Sequence, residues 1–228
     1  GTRSVAIGEH RISFTQSVLA TGARPTVPDL PGLETVDYLT SETVWDLNEL
    51  PHRLLVLGGG SVGCELAQAF ARLGSAVTIV ESAETLVPRE DLAASTALTA
   101  SMIADGVDVR TAATAASISG EALTLVGGRQ IRFDQVLIAV GRTPRTRSIG
   151  LEDAGVTVDD RGYVNVDAQL RTSNPRIWAA GDLTGHPQFT HTAGVHGSLA
   201  ATNAILGLRR TVDKTGEPRV TFTDPEIA

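Results

Sequence analysis

Residues 53–81 read RLLVLGGGSVGCELAQAFARLGSAVTIVE, and the fold turns on how this stretch is parsed. RLLVL is an uninterrupted apolar run of strand length, the pattern of a strand buried on both faces. GGGSVG follows as a turn. Val62, Leu66, Phe70 and Leu73 then recur at helical spacing, which predicts a helix that buries that face. Gly74 ends the helix, since glycine tolerates the left-handed conformation of a C-terminal cap. AVTIVE reads as a second strand. Strand, helix and strand on short joints predict parallel strands with a right-handed crossover.

Inside the turn, Gly58, Gly60 and Gly63 form G-x-G-x-x-G. The first glycine permits the tight turn. The second lets a pyrophosphate approach bare backbone, and the third lets the helix pack close to the strand. The amides of Ser61, Val62 and Gly63 would then face the phosphates at the positive end of the helix dipole. Glu81 stands about 20 residues on, where an acid can accept from ribose hydroxyls and repel a 2′-phosphate. The unit therefore predicts a dinucleotide site, with NAD(H) favoured over NADP(H). Arg72, Arg89 and the Ser82 hydroxyl are the groups that would favour NADP(H) instead. Glu65, early in the helix, reads from the sequence alone as an acid complementing the dipole.

The rest of the chain limits the alternatives. At 228 residues it makes one large domain or two small ones. With 42% hydrophobic and 20% charged residues it has the composition of a folded globular protein. A net charge of −7 without any basic stretch argues against a nucleic-acid surface. No apolar run approaches the roughly 18 residues of a membrane span. The single cysteine, Cys64, allows neither an intrachain disulfide nor a multi-cysteine metal site, which suits the cytoplasm. It reads as a small buried thiol. His186, His191 and His196 are five residues apart and do not share a helical face, so no metal site is expected.

Elsewhere, TSETVWDL predicts a short helix capped by Thr40 or Ser41, and EDLAASTALTASMIADGV predicts a second helix stopped by Gly106. ALTLVGGRQIRF predicts a hairpin through Gly127 and Gly128. LEDAGV, YVNV and RIWAAGD follow, and a Gly/Ala-rich helix is expected from about Ala193 to Leu206. Residues 18–25, VLATGARP, are echoed at 136–144 by VLIAVGRTP. Each is an apolar run ending on glycine, then a basic residue and proline.

The segments GGGSVGCELAQAFARLGSAVTIVE, VLIAVGRTPRTRSIGLEDAGV, LRTSNPRIWAAGD and FTDPEIA together resemble the flavoprotein pyridine nucleotide–disulfide oxidoreductases. The likeness covers essentially the whole chain and is strongest to the mercuric reductases and dihydrolipoamide dehydrogenases. It implies an α/β fold: a Rossmann-like NAD(P)-binding domain inserted in a split, incomplete FAD-binding domain, of three-layer ββα type. Residues 1–36 and 144–210 would be FAD-domain segments, 37–143 the NAD(P)-binding domain, and 211–228 the start of an interface domain. The two echoed strands would be the exit from and the return to the flavin domain.

The resemblance also implies site residues. Glu65 would approach the nicotinamide carboxamide, and Gly141 would line the NAD(P) site. Thr21, Gly22, Arg142, Gly181, Asp182, Phe189 and Thr190 would line FAD, with Asp182 on the ribityl chain. His191 would lie near the flavin as a proton donor or electrostatic tuner. It falls where mercuric reductases carry Tyr, a departure from their pattern. The family's second glycine fingerprint, its Cys-x4-Cys pair and its His-x4-Glu pair are not in this sequence. The expectation is therefore a central piece of a longer enzyme, holding no catalytic residue of its own and monomeric, from a homodimeric parent. That parent would pass hydride from NAD(P)H through FAD to a disulfide, a metal ion or a small-molecule acceptor. A flavin NADH oxidase or quinone reductase, or an isolated nucleotide-binding module, are the alternatives.

Overall fold

In the computed structural model, residues 3–213 and 215–228 are described; Gly1, Thr2 and Lys214 lie outside the described residues. The chain begins with β1 (Ser4–Ile7), β2 (His10–Ser13), β3 (Ser17–Leu19) and β4 (Ala23–Pro25). Next come β5 (Tyr38–Thr40), β6 (Arg53–Leu57), α1 (Ser61–Leu73), β7 (Ala76–Val80), α2 (Leu92–Ala104) and β8 (Asp108–Arg110). Then follow β9 (Ala115–Ser119), β10 (Ala122–Leu125), β11 (Gln130–Arg132) and β12 (Gln135–Ile138). The chain ends with β13 (Arg142–Pro144), β14 (Ile177–Ala179), α3 (Thr190–Leu206) and a tail without regular structure. It divides into two compact units. One comprises the described residues up to Arg24 with Thr143–Pro218; the other comprises Pro25–Arg142 with Arg219–Ala228. The sequence placed boundaries after residues 36, 143 and 210; the units divide after 24, 142 and 218. Leu30 and Leu33 explain the first difference, because both are buried against the β9–β11 sheet.

The unit from Pro25 has a five-stranded parallel sheet in the order β5-β12-β6-β7-β8. Alternation along β6 sends Leu54 and Val56 to one face and Leu55 and Leu57 to the other. The first pair packs with Cys64 and Ala67 of α1 and with Leu98 and Met102 of α2. The second packs with Ile118, Leu123 and Ile131 of the antiparallel sheet β9–β11. Helices, parallel sheet and antiparallel sheet make the three expected layers, and the hairpin between β10 and β11 turns at Gly127 and Gly128 as expected.

Two local expectations hold only in part. On α1, Gly63, Cys64, Ala67 and Gln68 are buried; of the apolar stripe Leu66 and Phe70 pack partly buried against the same core, whereas Val62 and Leu73 are exposed. Small residues take the innermost positions because the helix lies too close to the sheet there for large ones. TSETVWDL yields only a single 3-10 turn at Val44–Asp46, with no side-chain cap. Thr43 Oγ1 accepts instead from the Thr40 amide at 3.0 Å.

In the other unit, β3 and β14 form a parallel pair. Trp178 and Ala180 pack with Leu199 and Ala200 of α3 on one side. Ile177 and Ala179 pack with Leu151, Val156, Val164 and Leu183 on the other. YVNV forms only isolated bridges, Val158 to Val164 and Val166 to Thr172. Among the described residues, no helix is long and apolar enough to cross a membrane.

Candidate functional site

The glycine loop runs from the end of β6 into α1. Gly58 has φ +109°, a conformation L side chains rarely adopt, and a Cβ there would lie 2.4 Å from the Ala139 carbonyl oxygen. A Cβ on Gly63 would lie 1.9 Å from the Gly58 carbonyl oxygen, so loop and helix are in backbone contact. Gly60 is different. Its φ of −76° suits any residue, and a Cβ there meets nothing within 4 Å. Two glycines are thus required by the protein's own packing, and the one between them borders open space. Helix geometry leaves the first-turn amides of Ser61, Val62 and Gly63 without intrahelical acceptors. Bare backbone facing open space at the positive end of a helix fits a diphosphate.

Glu81 follows β7 and turns back onto this loop. Its Oε2 accepts from the Gly59 amide at 2.6 Å, and its Oε1 accepts from the Ala83 amide at 2.7 Å and the Ser82 hydroxyl at 3.1 Å. The carboxylate is thereby fixed beside the loop. A Cβ on Gly59 would come within 2.9 Å of Glu81 Cβ, so this approach also depends on glycine. An oriented carboxylate next to a phosphate cradle is the acceptor a ribose diol needs, and the residues present fit an NAD(P) dinucleotide.

Cys64 lies directly beneath. It is fully buried, and its thiol donates to the Gly59 carbonyl at 3.4 Å. Burial pushes the thiol up to about 12, and the neighbouring Glu81 charge adds to the shift. It is therefore a neutral packing group, as the sequence suggested.

Glu65 is oriented by a contact that sequence spacing could not show. Its Oε1 accepts from the Phe222 amide at 2.9 Å. The tail 219–228 lies along α1 through Ser61 Oγ to Thr221 Oγ1 at 2.8 Å and an Arg72–Asp224 ion pair. Gln68, almost fully buried, completes the clasp. Its Nε2 donates to the Asp224 carbonyl at 2.9 Å, and its Oε1 accepts from the Asp224 amide at 2.8 Å. Gly141 belongs to the same unit and accepts from the Thr26 amide at 2.9 Å. Arg142 opens β13 beside it.

The other unit holds the remaining residues named for FAD. Thr21 donates its hydroxyl to the Arg145 carbonyl at 2.7 Å, and the Gly22 carbonyl accepts from the Arg145 amide at 2.9 Å. Gly181, at φ +81° and ψ −152°, has a backbone essentially restricted to glycine. It delivers the half-buried Asp182 to the start of a 3-10 turn. Phe189 caps α3 and Thr190 opens it. A carboxylate held at a glycine-only turn suits a chain of sugar hydroxyls. The fit these residues make to FAD is to its polyol part.

The three histidines part company. His191 stacks on Phe189 with ring centroids 5.3 Å apart, and its Nε2 bonds the Pro218 carbonyl at 2.8 Å. His196 is buried; its Nδ1 accepts from the Gly181 amide at 3.4 Å, and its Nε2 faces His186 Nδ1 at 3.3 Å. The sequence reading missed His196 as the support of the Gly181 turn. A fifteen-residue separation between Gly181 and His196 leaves no periodic signal.

A family model described as pyridine nucleotide-disulphide oxidoreductase matches residues 2–197. The chain belongs to that family. It is 46% identical over 228 residues to the mercuric reductase of Streptomyces lividans, covering 97% of this chain and 48% of that protein. To the dihydrolipoyl dehydrogenase of Chlamydia pneumoniae it is 37% identical over 221 residues, covering 95% and 47%. Among solved structures it is similar to the Cu(II) complex of the HOCl-induced flavoprotein disulfide reductase RclA from Escherichia coli. There the TM-score is 0.90 at 33% identity, covering 99% of this chain and 53% of that one. The chain spans about half the length of the relatives it matches. Family and neighbours agree with the Rossmann-like FAD/NAD architecture expected from the sequence.

Proposed function

We propose that this chain is the nucleotide-handling part of an FAD-dependent NAD(P)H oxidoreductase whose acceptor is a disulfide or a metal ion. The observation that carries the reading is the glycine loop, closed at Gly58 and Gly63, open at Gly60, with Glu81 fixed beside it. Bound together, nicotinamide and flavin supply two-electron hydride transfer.

This chain's residues bind and orient. Backbone amides from Gly60 to Gly63 hold the pyrophosphate, with Ser61 and Val62 contributing theirs. Glu81 accepts from the adenosine ribose and disfavours a 2′-phosphate, so NADH is preferred to NADPH. Glu65 orients the carboxamide, and Gly141 lines the same site. Pro25–Arg142 is accordingly the NAD(H)-binding unit. In the other unit, Asp182 accepts from the flavin's ribityl hydroxyls. Thr21, Gly22, Gly181, Phe189 and Thr190 complete that unit's contribution to the FAD site, and His191 stands near the flavin ring; Arg142 is assigned to FAD by the family resemblance. The family resemblance supports a homodimeric parent protein. A single buried cysteine and a nicotinamide cofactor suit the cytoplasm.

The test is anaerobic titration of the natural protein with NADH, followed by visible absorbance. Bleaching of a bound flavin is expected. A protein that carries no flavin, or whose flavin NADH does not reduce, would contradict the proposal.

A further inference from the structure

The carboxylate of Glu81 is already crowded. An ionised carboxylate has about four acceptor positions, two on each oxygen. Oε1 takes two donors, the Ala83 amide and the Ser82 hydroxyl, whereas Oε2 takes one, the Gly59 amide. A ribose diol gripped by both oxygens needs one free position on each. Oε2 has one to give. Oε1 has none until a donor leaves.

The two amides cannot leave without moving the main chain. Gly59 is wedged against Glu81 and Leu86, and its carbonyl accepts from the Val87 amide at 2.7 Å. The Ala83 carbonyl accepts from the Ala112 amide at 2.7 Å. Ser82 is exposed, and its hydroxyl needs only rotation about χ1. It also makes the longest of the three bonds.

We infer that Ser82 is a specificity-determining residue, whose hydroxyl competes with the NADH ribose for Glu81 and is the donor available to the 2′-phosphate of NADPH. This rests on the reading of the loop as a dinucleotide site. For NADH the hydroxyl must be displaced, which weakens binding. For NADPH the displaced hydroxyl finds a phosphate oxygen, which offsets part of the repulsion from Glu81. Ser82 thus narrows the discrimination that Glu81 sets up.

The experiment measures dissociation constants for NADH and NADPH by calorimetry at one fixed ionic strength. It uses the natural full-length protein and its S82A, S82T and E81Q variants. Ser82→Ala is expected to tighten NADH about two- to tenfold and to weaken NADPH by a similar factor, the range of one hydrogen bond. Ser82→Thr keeps the hydroxyl and should retain the parent ratio. If Ser82→Ala leaves NADH binding unchanged or weaker, while Glu81→Gln still erodes the NADH preference, the inference fails and the site reading stands. If the parent protein prefers NADPH, binds neither nucleotide, or is indifferent to Glu81→Gln, the reading itself fails and the inference with it.

Discussion

Alanine at Gly60 and alanine at Gly63 should have opposite effects, although the positions are three residues apart. At Gly63 the new Cβ would stand 1.9 Å from the Gly58 carbonyl oxygen, and real Cβ atoms essentially never come closer than 3.0 Å. The obstacle is backbone, so α1 must retreat by more than an ångström. That separates Cys64 and Ala67 from Leu54 and Val56, which they bury. Overpacking costs about 1–3 kcal/mol, and a backbone obstacle puts Gly63→Ala at about 3 kcal/mol. With urea slopes of about 1–3 kcal/mol per molar, the unfolding midpoint should fall by about 1–3 M. At Gly60 nothing lies within 4 Å, and the backbone is one alanine adopts freely. Stability should hold or rise by about 0.4–1 kcal/mol, because the unfolded chain loses freedom. The methyl would, however, stand where the pyrophosphate must come, and NADH affinity should fall about tenfold or more. Urea unfolding and calorimetric titration on both variants read the two effects. Wild-type NADH affinity in Gly60→Ala would refute the placement of the phosphates. Wild-type stability in Gly63→Ala would refute the close packing of helix on loop.

Cys64, buried and pushed up to about 12, should be inert to a disulfide reagent at pH 8 and react only on unfolding. Its raised value also means stability held below the ordinary thiol range and lost as pH climbs from about 9 toward 12; a stability maximum above pH 10 would oppose this. Gln68→Ala removes the clasp on Asp224 and should cost about 2–3 kcal/mol, with earlier proteolytic cleavage in 219–228 than in the parent. The hydrogen bond from Gln68, and then Arg72, hold the Asp105 carboxyl below its usual value. Their contribution is therefore present above about pH 4 and lost below it, so Asp105→Asn should flatten the acid limb of a stability–pH curve.

The parts of the fold that could be read in advance are those written in local pattern. RLLVL and VLIAVG announce parallel strands because both faces are buried, and Gly127-Gly128 announces its hairpin. The glycine loop with Glu81 was legible because strand, turn, helix and acid are contiguous. The α1 face was legible only in part: Leu66 and Phe70 of the apolar stripe pack against the core, but backbone contact at Gly58–Gly63 demands small residues on the innermost surface. The Glu65–Phe222 and Gln68–Asp224 contacts join residues more than 150 positions apart, and nothing in the spacing of either marks the other. His196 supporting Gly181 is hidden in the same way, since a histidine in a Gly/Ala-rich helix gives no sign of what it faces.

The most direct measurement is a crystal structure of the protein with NADH bound. The account requires the pyrophosphate on the amides of Gly60–Gly63, passing over the open side of Gly60, and the adenosine ribose on Glu81. A dinucleotide seated elsewhere, or a loop left empty at saturating NADH, would contradict it.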